Sequence, residues 1–438
     1  MENEVHYGMT QPISEEIDNV KYRQTGEDFY SKVVRIAESL KDSPDHFENF
    51  KDALRHMRFL PAGRVQNAMG AARQTTAYNC FVSGAIEDSM DSIMGRATDA
   101  AETMRRGGGI GYDFSRLRPR GDRIKSLDSR ASGAVSFMQI FDAVCQTIAS
   151  SGHRRGAQMG VLRVDHPDIE QFITAKNDGT SLTGFNISVG ITDEFMRCLE
   201  KKEPFPLQFE GRVHEEVDPV ALWDMIMRST WDWAEPGVLF IDTINKMNNL
   251  YYCENIEATN PCGEQPLPPY GACLLGSFNL TKYVGAGAFD YGLFTGDIHH
   301  VVRAMDNVID RTIYPLEEQE KEAKNKRRMG LGVTGLANAG EMCGMPYASE
   351  EFMKFTTKVL KTLRDHTYGA SSLLAKEKGC FPLYDKDKYI EGKFFKTLSN
   401  WVQDQIKETG LRNSHLTSIA PTGTISLTAD NVSSGIEP

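Results

Sequence analysis

The most informative stretch of the sequence is residues 258–273, which run Ala-Thr-Asn-Pro-Cys-Gly-Glu-Gln-Pro-Leu-Pro-Pro-Tyr-Gly-Ala-Cys. Within it Asn260, Cys262 and Glu264 occupy every second position, and in an extended segment such residues project to the same side. Four prolines and two glycines favour a stiff, irregular loop over a regular strand or helix. The pattern therefore predicts an amide, a thiol and a carboxylate that converge on one spot of a rigid loop.

These three groups suit catalysis. A thiol can supply and take back a hydrogen atom, a carboxylate can act as a general base, and an amide can orient a hydroxyl or polarise a developing carbonyl. The same spacing also fits a proline-rich turn that contains a cysteine by chance, because short motifs have high false-positive rates. The local pattern leaves both interpretations open.

Composition limits the partners that this chain can have. The 438 residues carry a net charge of -11, with 40% hydrophobic and 25% charged residues, the mix of a globular protein. The negative charge argues against an electrostatic grip on nucleic acid or on an anionic membrane. Residues 1–14 show no secretory signal, and no apolar run approaches the length that spans a membrane. We expect a cytoplasmic protein that binds neither nucleic acid nor membrane.

The cysteines show no metal-binding spacing. None of them forms a Cys-x-x-Cys pair, which argues against a zinc knuckle and predicts no metal site. In a large chain without a signal peptide we expect reduced and mostly buried thiols. The eight positions are Cys80, Cys145, Cys198, Cys253, Cys262, Cys273, Cys343 and Cys380.

Periodicity predicts an α/β fold. Residues 12–58 follow a helical pattern, and beyond them strands alternate with helices, which implies largely parallel pairing. We predict a helical N-terminal region over residues 1–58 and one continuous domain over residues 59–438. Strands are predicted at 76–82, 185–189 and 238–241, helices at 89–104, 135–150, 219–234, 298–312 and 350–378, and strand-to-turn passages at 328–335 and 414–420.

Many longer motifs in the right order resemble the large, catalytic subunits of ribonucleotide reductases. In their residues the motifs are most similar to those of the adenosylcobalamin-dependent class II enzymes. The resemblance runs through nearly the whole chain from Phe59 onward. Besides the Asn-x-Cys-x-Glu loop, the motifs that carry it lie at 78–82, 88–92, 107–113, 115–121, 153–157, 273–280 and 420–426.

The resemblance implies a ten-stranded α/β barrel of the ribonucleotide reductase type, preceded by a short helical N-terminal region. The proline-rich loop, here called the finger loop (residues 258–271), is expected to thread the barrel. Residues 428–438 look like an internal loop, so we expect the barrel to be incomplete at the C-terminus and this chain alone to be catalytically incomplete. The segment before Phe59 is too short for the separate ATP-binding cone of many relatives.

The resemblance also implies roles for individual residues. Cys262 matches the cysteine that becomes a thiyl radical, Glu264 the base for the ribose 3′-hydroxyl, and Asn260 the amide that binds the ribose. Cys80 and Cys273 match the redox-active pair that delivers two electrons. The implied reaction is reduction of a ribonucleoside diphosphate to the deoxyribonucleotide for DNA synthesis.

Further positions match the substrate site of the family. The turn at residues 421–426 offers hydroxyls and backbone N–H groups that suit a phosphate, although an ordinary helix cap would have the same sequence. The glycine run 107–109 is a weak nucleotide signal by itself. The substrate-binding residues implied by the resemblance are Asn79, Gly108, Gly109, Pro421, Thr422, Gly423, Thr424 and Ile425.

A last group matches the allosteric site. Asp88, Ser89 and Arg118 correspond to positions that bind an effector deoxynucleoside triphosphate near a dimer interface. Taken alone, Asp88 or Ser89 fits the cap of the helix that follows, and Arg118 fits a solvated charge.

The implied cofactor is adenosylcobalamin, and the implied partners are the effector, a thioredoxin-like reductant and a second copy of the chain. Three alternatives remain open. The chain fits a class I large subunit that needs a separate radical-generating subunit, or an inactive nucleotide-binding fragment of a split protein. A glycyl-radical enzyme would need a C-terminal glycine motif that these residues lack.

Overall fold

The computed structural model describes residues 7–72, 75–124, 128–148 and 156–438. The α-helices are α1 (Pro12–Tyr22), α2 (Phe29–Leu40), α3 (Pro44–Arg55), α4 (Gly63–Ala68), α5 (Met90–Arg105), α6 (Ala134–Thr147), α7 (Ile169–Thr174), α8 (Asp193–Lys201), α9 (Pro219–Trp233), α10 (Ile241–Met247), α11 (Tyr291–Arg311), α12 (Glu317–Lys326), α13 (Leu336–Met342), α14 (Glu350–Lys378), α15 (Lys386–Glu391), α16 (Asn400–Thr409) and α17 (Gly423–Thr428). Short 3₁₀ turns lie at Leu280–Tyr283 and Phe395–Thr397. Within the described ranges, no helix is both long enough and apolar enough to cross a membrane.

The strands are mostly short. They are β1 (Phe59–Pro61), β2 (Cys80–Val82), β3 (Gly109–Asp113), β4 (Arg123–Ile124), β5 (Ser129–Arg130), β6 (Gln158–Arg163), β7 (Phe185–Ile191), β8 (Phe205–Phe209), β9 (Arg212–Val217), β10 (Gly237–Phe240), β11 (Ala258–Thr259), β12 (Pro266–Leu267), β13 (Ala272–Cys273), β14 (Leu275–Asn279), β15 (Val284–Gly285), β16 (Ala288–Phe289) and β17 (Gly330–Thr334).

The chain divides into two compact units, and one of them is continuous in sequence. This second unit, residues 80–271, is built on strands in the order β10-β7-β6-β3-β2. Every neighbouring pair in that order is parallel, which confirms the predicted parallel pairing. Three antiparallel hairpins, β4–β5, β8–β9 and β11–β12, accompany this sheet.

The two faces of β3 have opposite characters. Ile110 and Tyr112 belong to a large hydrophobic core with residues of α5, α6, α7, α8 and α9. Gly109 and Gly111 alternate with them and therefore point to the other face. A strand with bulky residues on one face and glycines on the other can pack against helices on the first face. On the second face it can be approached closely by another backbone.

The first unit combines residues 1–79 with residues 272–438. Its sheet has the order β1-β14-β17, with β1 antiparallel and β17 parallel to β14. Helix α11 packs against α14, which in turn packs against α16, and α2 packs against α3. The expected boundary between residues 58 and 59 differs from this division and stays a prediction.

Most predicted elements appear close to their expected positions. The helix at 350–378 is confirmed with both ends as predicted, while α11 begins earlier than expected, at Tyr291. The predicted strand at 76–82 forms only over Cys80–Val82. The passage at 414–420 forms one isolated bridge, Leu331 to Thr417. The backbone N–H groups of Met329 and Leu331 donate to the carbonyls of His415 and Leu416. The donors are two residues apart but the acceptors only one, so the register shifts and a regular ladder does not form there.

The two ends of the described chain meet within the first unit. The Asp430 carboxylate accepts hydrogen bonds from the backbone N–H groups of Thr10 and Gln11, at 2.7 and 2.9 Å. The Ser14 hydroxyl donates to the carbonyl of Leu427 at 2.6 Å. The start of α1 is thus held by the end of α17 and by the segment that follows it.

A buried carboxylate joins three segments of the first unit. Asp306 on α11 is fully buried and accepts hydrogen bonds from Arg327 at 2.9 Å, Arg412 at 3.2 Å and Asn413 at 2.8 Å. Arg327 is only 4% exposed. A buried charge of this kind is tolerated only when it is paired and hydrogen-bonded.

We therefore expect Asp306→Ala to lower the free energy of unfolding by about 3–5 kcal/mol, because it leaves buried positive charge poorly compensated. Urea denaturation of the purified chain measures the change. The control is Asp404→Ala, which breaks an exposed pair with Lys407 and should cost less than about 1 kcal/mol. Equal losses in the two variants would contradict this role for Asp306.

Candidate active site

The finger loop is a tight hairpin. Strands β11 and β12 pair antiparallel, with Ala258 opposite Leu267 and Thr259 opposite Pro266. The connection turns where the N–H of Gly263 donates to the carbonyl of Asn260 at 3.0 Å. Gly263 has a φ of 82°, a left-handed conformation that favours glycine.

The side chain of Asn260 holds this hairpin together. Asn260 is fully buried, and its amide oxygen accepts hydrogen bonds from the N–H of Gln265 at 2.9 Å and from the Thr259 hydroxyl at 3.2 Å. Its amide nitrogen donates to the Glu264 carboxylate at 2.5 Å. The amide and the carboxylate meet, as expected. The cause differs from the prediction, because a turn brings them together rather than side-chain alternation along an extended segment.

Cys262 lies at the exposed tip of the hairpin. The neighbouring Pro261 is buried, and its carbonyl accepts a hydrogen bond from the Asn186 amide of β7 at 2.8 Å. The tip is therefore anchored on the sheet immediately before the thiol. A fixed backbone with an accessible sulfur suits a reactive cysteine.

The glycine face of β3 receives the finger loop. A Cβ atom at Gly111 would lie 1.8 Å from the carbonyl oxygen of Thr259, and one at Gly109 would lie 3.1 Å from Pro261 and 3.2 Å from the sulfur of Cys80. Cys80 is also the register partner of Gly109. The finger loop therefore packs closely on β3 at these two glycines.

The predicted redox pair is divided between the two units. Cys80 begins β2 in the second unit, and Cys273 ends β13 in the first. Both are buried, and in the first unit the N–H of Asn79 donates to the carbonyl of Cys273 at 3.2 Å. The pairing of the two thiols stays a prediction.

The predicted phosphate turn lies in the first unit, and a helix begins there as expected, at Gly423. Thr422 is buried with a φ of 53°, and its hydroxyl is already bonded to the N–H of Gly435 at 2.8 Å and to the Thr334 hydroxyl at 3.0 Å. Pro421, Gly423 and Thr424 are exposed, and Ile425 is buried. The hydroxyl of Thr422 thus stabilises the turn itself.

The three predicted effector-binding residues lie together in the second unit. The Ser89 hydroxyl caps α5 by accepting from the N–H of Ser92 at 3.2 Å. The Arg118 guanidinium donates to Asp88 at 2.6 Å, so Arg118 is a paired charge rather than a solvated one. Asp88 also lines a cleft of about 490 Å³, whose other residues are Glu87, Ser115, Arg116, Arg163, Asp165, His166, Gln208, Phe209, Glu210 and Gly211. Residues 153–155 of the resembling motifs lie outside the described residues.

Comparison with known sequences supplies the family. The sequence model described as "Ribonucleotide reductase, barrel domain" matches residues 78–438. The chain belongs to the ribonucleotide reductase barrel-domain family. The predicted fold class is thereby confirmed.

Curated relatives of this chain carry matching names. The vitamin B12-dependent ribonucleoside-diphosphate reductase of Mycobacterium tuberculosis is 40% identical over 89% of this chain and 54% of its own length. The protein of the same name from Thermoplasma acidophilum is 36% identical over 100% of this chain and 56% of its own. The vitamin B12-dependent ribonucleotide reductase of Streptomyces clavuligerus is 28% identical over 95% and 48%. The chain thus spans about half the length of the curated relatives it matches.

Sequence reasoning did not single out Asp113, the last residue of β3. Its carboxylate accepts hydrogen bonds from the N–H of Ser115 at 3.1 Å and from the Ser115 hydroxyl at 2.5 Å. Burial nevertheless raises the pKa of Asp113 to about 6, and the nearby Glu257 carboxylate adds to the rise. Its place at the carboxyl end of a parallel strand was the available signal.

We expect Gly111→Ala to displace the finger loop, because the new methyl group would overlap the carbonyl of Thr259. A clash with backbone cannot be relieved by a rotamer change, so a loss of about 2 kcal/mol or more in the free energy of unfolding is expected. Hydrogen exchange over residues 258–267 should rise at the same time. Gly95→Ala, on a helix with open space around the new atom, is the control. Unchanged exchange in Gly111→Ala would contradict the steric argument.

The raised pKa of Asp113 predicts a pH-dependent stability. The usual value is 3.8, so the stability that this group contributes is fully present below pH 3.8 and is lost as the pH rises through about 6. Asp113→Asn cannot ionise, so its stability relative to the parent should rise by about 2 kcal/mol between pH 4.5 and 7.5. Urea unfolding at the two pH values tests this. Asp178→Asn is the control, because the pKa of Asp178 is lowered to about 2 and its difference from the parent should stay flat over that range.

Proposed function

We propose that this chain is the catalytic part of a ribonucleotide reductase and reduces ribonucleoside diphosphates through a thiyl radical on Cys262. The observation that carries the proposal is the Asn260 clamp. It fixes the Glu264 carboxylate at 2.5 Å from the amide, on a hairpin whose tip exposes the thiol. A base and a hydrogen-atom acceptor held on one rigid turn fit a reaction in which a proton leaves the 3′-oxygen and a hydrogen atom leaves C3′ of one sugar.

The proposed reaction balances as follows. The Cys262 thiyl takes the hydrogen atom from C3′, and Glu264 takes the proton of the 3′-hydroxyl. The 2′-hydroxyl leaves as water with one proton from the thiol pair Cys80 and Cys273, and the second hydrogen of that pair goes to C2′. The pair supplies two electrons and becomes a disulfide. Glu264 returns its proton to the 3′-oxygen, and Cys262 returns its hydrogen atom to C3′, which regenerates the thiyl. Ribonucleotide and dithiol thus give deoxyribonucleotide, disulfide and water.

We propose adenosylcobalamin as the cofactor, on the strength of the names of the relatives. The cobalt of this cofactor is held by its own corrin ring, so it needs no cluster of protein ligands, and none of three or more is found in the described parts of the chain. Cys262 would face this cofactor, and its exposure leaves the thiol accessible to a bound group. When bound, the group supplies the radical chemistry that a thiol alone lacks.

Substrate and effector are proposed at separate places. The turn formed by Pro421, Thr422, Gly423, Thr424 and Ile425 is proposed to hold the substrate phosphates, with Asn79, Gly108 and Gly109 also in the substrate site. The preformed turn, stabilised through the Thr422 hydroxyl, supports this assignment. A deoxynucleoside triphosphate is proposed to bind at Asp88, Ser89 and Arg118, where a carboxylate suits ribose hydroxyls and a guanidinium suits phosphate.

The remaining partners follow from the same proposal. Re-reduction of the disulfide requires a thioredoxin-like reductant, and the effector site is proposed to lie near a homodimer interface. The second candidate function is that of a class I large subunit, in which a separate subunit generates the radical. An exposed Cys262 serves both, and dependence of turnover on adenosylcobalamin separates them.

We expect Cys262→Ser to abolish deoxyribonucleotide formation, because the O–H bond of serine is too strong for easy hydrogen-atom exchange. The assay combines the chain with a ribonucleoside diphosphate, adenosylcobalamin and dithiothreitol. Turnover should fall by several orders of magnitude, while calorimetry shows unchanged diphosphate binding. Cys253→Ser, which changes another exposed cysteine, is the control and should retain activity. Product from the serine variant, under conditions in which the parent protein turns over, would contradict the proposal.

A further inference from the structure

Two arginines contact the two ends of the finger loop, one at Glu257, the residue that precedes it, and one at Tyr270. On the outgoing limb, the Arg116 guanidinium donates to Glu257, the residue before β11, at 3.0 and 3.2 Å. Its other nitrogen donates to Glu87 at 2.7 Å. One guanidinium therefore bridges the root of the finger loop and the segment that enters α5.

That segment is fixed to the start of α5. The N–H of Glu87 donates to the Ser92 hydroxyl at 2.9 Å, and the N–H of Ser89 donates to the carbonyl of Glu87 at 2.7 Å. The next residue, Asp88, holds Arg118. Adjacent carboxylates thus bind Arg116 and Arg118, two residues apart on the chain after β3.

On the returning limb, Arg96 of α5 donates to the Tyr270 hydroxyl at 2.5 Å. Its guanidinium also lies 5.6 Å from the centre of the Tyr270 ring. Position 84 leaves room for this pair, since a Cβ atom there would lie 2.4 Å from the Tyr270 hydroxyl and 2.7 Å from Arg96. The helix capped by Ser89 therefore holds the second limb directly.

These contacts are better suited to positioning than to stability. Arg116 is 42% exposed and its partners Glu87 and Glu257 are 58% and 31% exposed, and such surface bridges contribute little to folding. Arg116 and Arg96 nevertheless connect the ends of one loop to one short segment. Variants at these positions should therefore fold.

We propose that Arg96 and Arg116 are positioning residues that transmit effector occupancy at Asp88, Ser89 and Arg118 to Cys262. A triphosphate on Arg118 competes with the Asp88 carboxylate for the guanidinium. A shift of Asp88 moves Glu87, to which Arg116 is bound, and the start of α5, which carries Arg96. The two limbs of the finger loop then move together. This inference rests on the effector site of the proposed function.

The experiment measures the rate at which iodoacetamide alkylates Cys262, followed by peptide mass spectrometry, with and without dTTP. The combined variant Arg116→Gln with Tyr270→Phe removes both links. The matched control is Arg197→Gln, because Arg197 also bridges two glutamates, Glu194 and Glu203, and is 41% exposed. Calorimetry gives the affinity for dTTP in every protein.

In the parent and the control, dTTP should change the alkylation rate by about fivefold or more, the low end of coupling between two sites. In the combined variant this change should disappear while the affinity for dTTP stays the same, which a merely structural role would not produce. Arg116→Lys keeps the charge but not the forked contact, so an intermediate effect is expected in that variant. Gly84→Ala should repeat the loss on the Tyr270 side without altering either partner.

The outcomes separate the two proposals. A parent that binds dTTP and a combined variant that keeps the full rate change would overturn the role of the arginines and leave the effector site intact. Binding without any rate change in the parent would also overturn the coupling. Failure of dTTP to bind the parent would reject the effector site itself, and the coupling with it.

Discussion

The contact on which the candidate site depends is the approach of one backbone to another at Gly111. The carbonyl of Thr259 occupies the space that any larger residue on this face of β3 would need. Steric exclusion of this kind is absolute in a way that hydrogen bonds are not, because a backbone cannot change rotamer to escape. It sets the depth of the finger loop on the sheet, and the hydrogen bond from Asn186 to Pro261 sets its direction.

From this contact the chemistry of the loop follows in order. Asn260, the next residue, is buried, and its amide bonds to Thr259, Glu264 and Gln265 of the same loop. Unsatisfied polar groups in such a place are costly, so the amide selects a hairpin in which Glu264 and Gln265 return to it. Cys262 lies at the exposed tip of this hairpin, so the packing of Thr259 on β3 helps to fix the backbone that carries the thiol.

The parallel sheet and the long helices could be predicted from the sequence, because glycines between elements and the periodicity of apolar residues are local signals. The alternating pattern also predicted that the side chains of Asn260 and Glu264 lie close together, although a turn rather than an extended segment places them there. The irregular pairing after Ser414 and the links from Arg96 and Arg116 depend on distant segments, which no local pattern encodes. Asp113 escaped notice because its environment, rather than its type, raises its pKa.

The hydrogen bonds that Thr10 and Gln11 donate to the Asp430 carboxylate have a consequence for biosynthesis. The partners are about 420 residues apart along the chain, which a ribosome covers in roughly 20–80 s. The continuous unit of residues 80–271 can collapse as it emerges, since all its strands come from one stretch. Folding of the first unit cannot be completed so early. The apolar face around Met9 and Tyr22 stays uncovered until the segment around Ile425 and Ala429 is synthesised. During that interval the nascent N-terminal helices present this apolar face to solvent, where a chaperone can bind it.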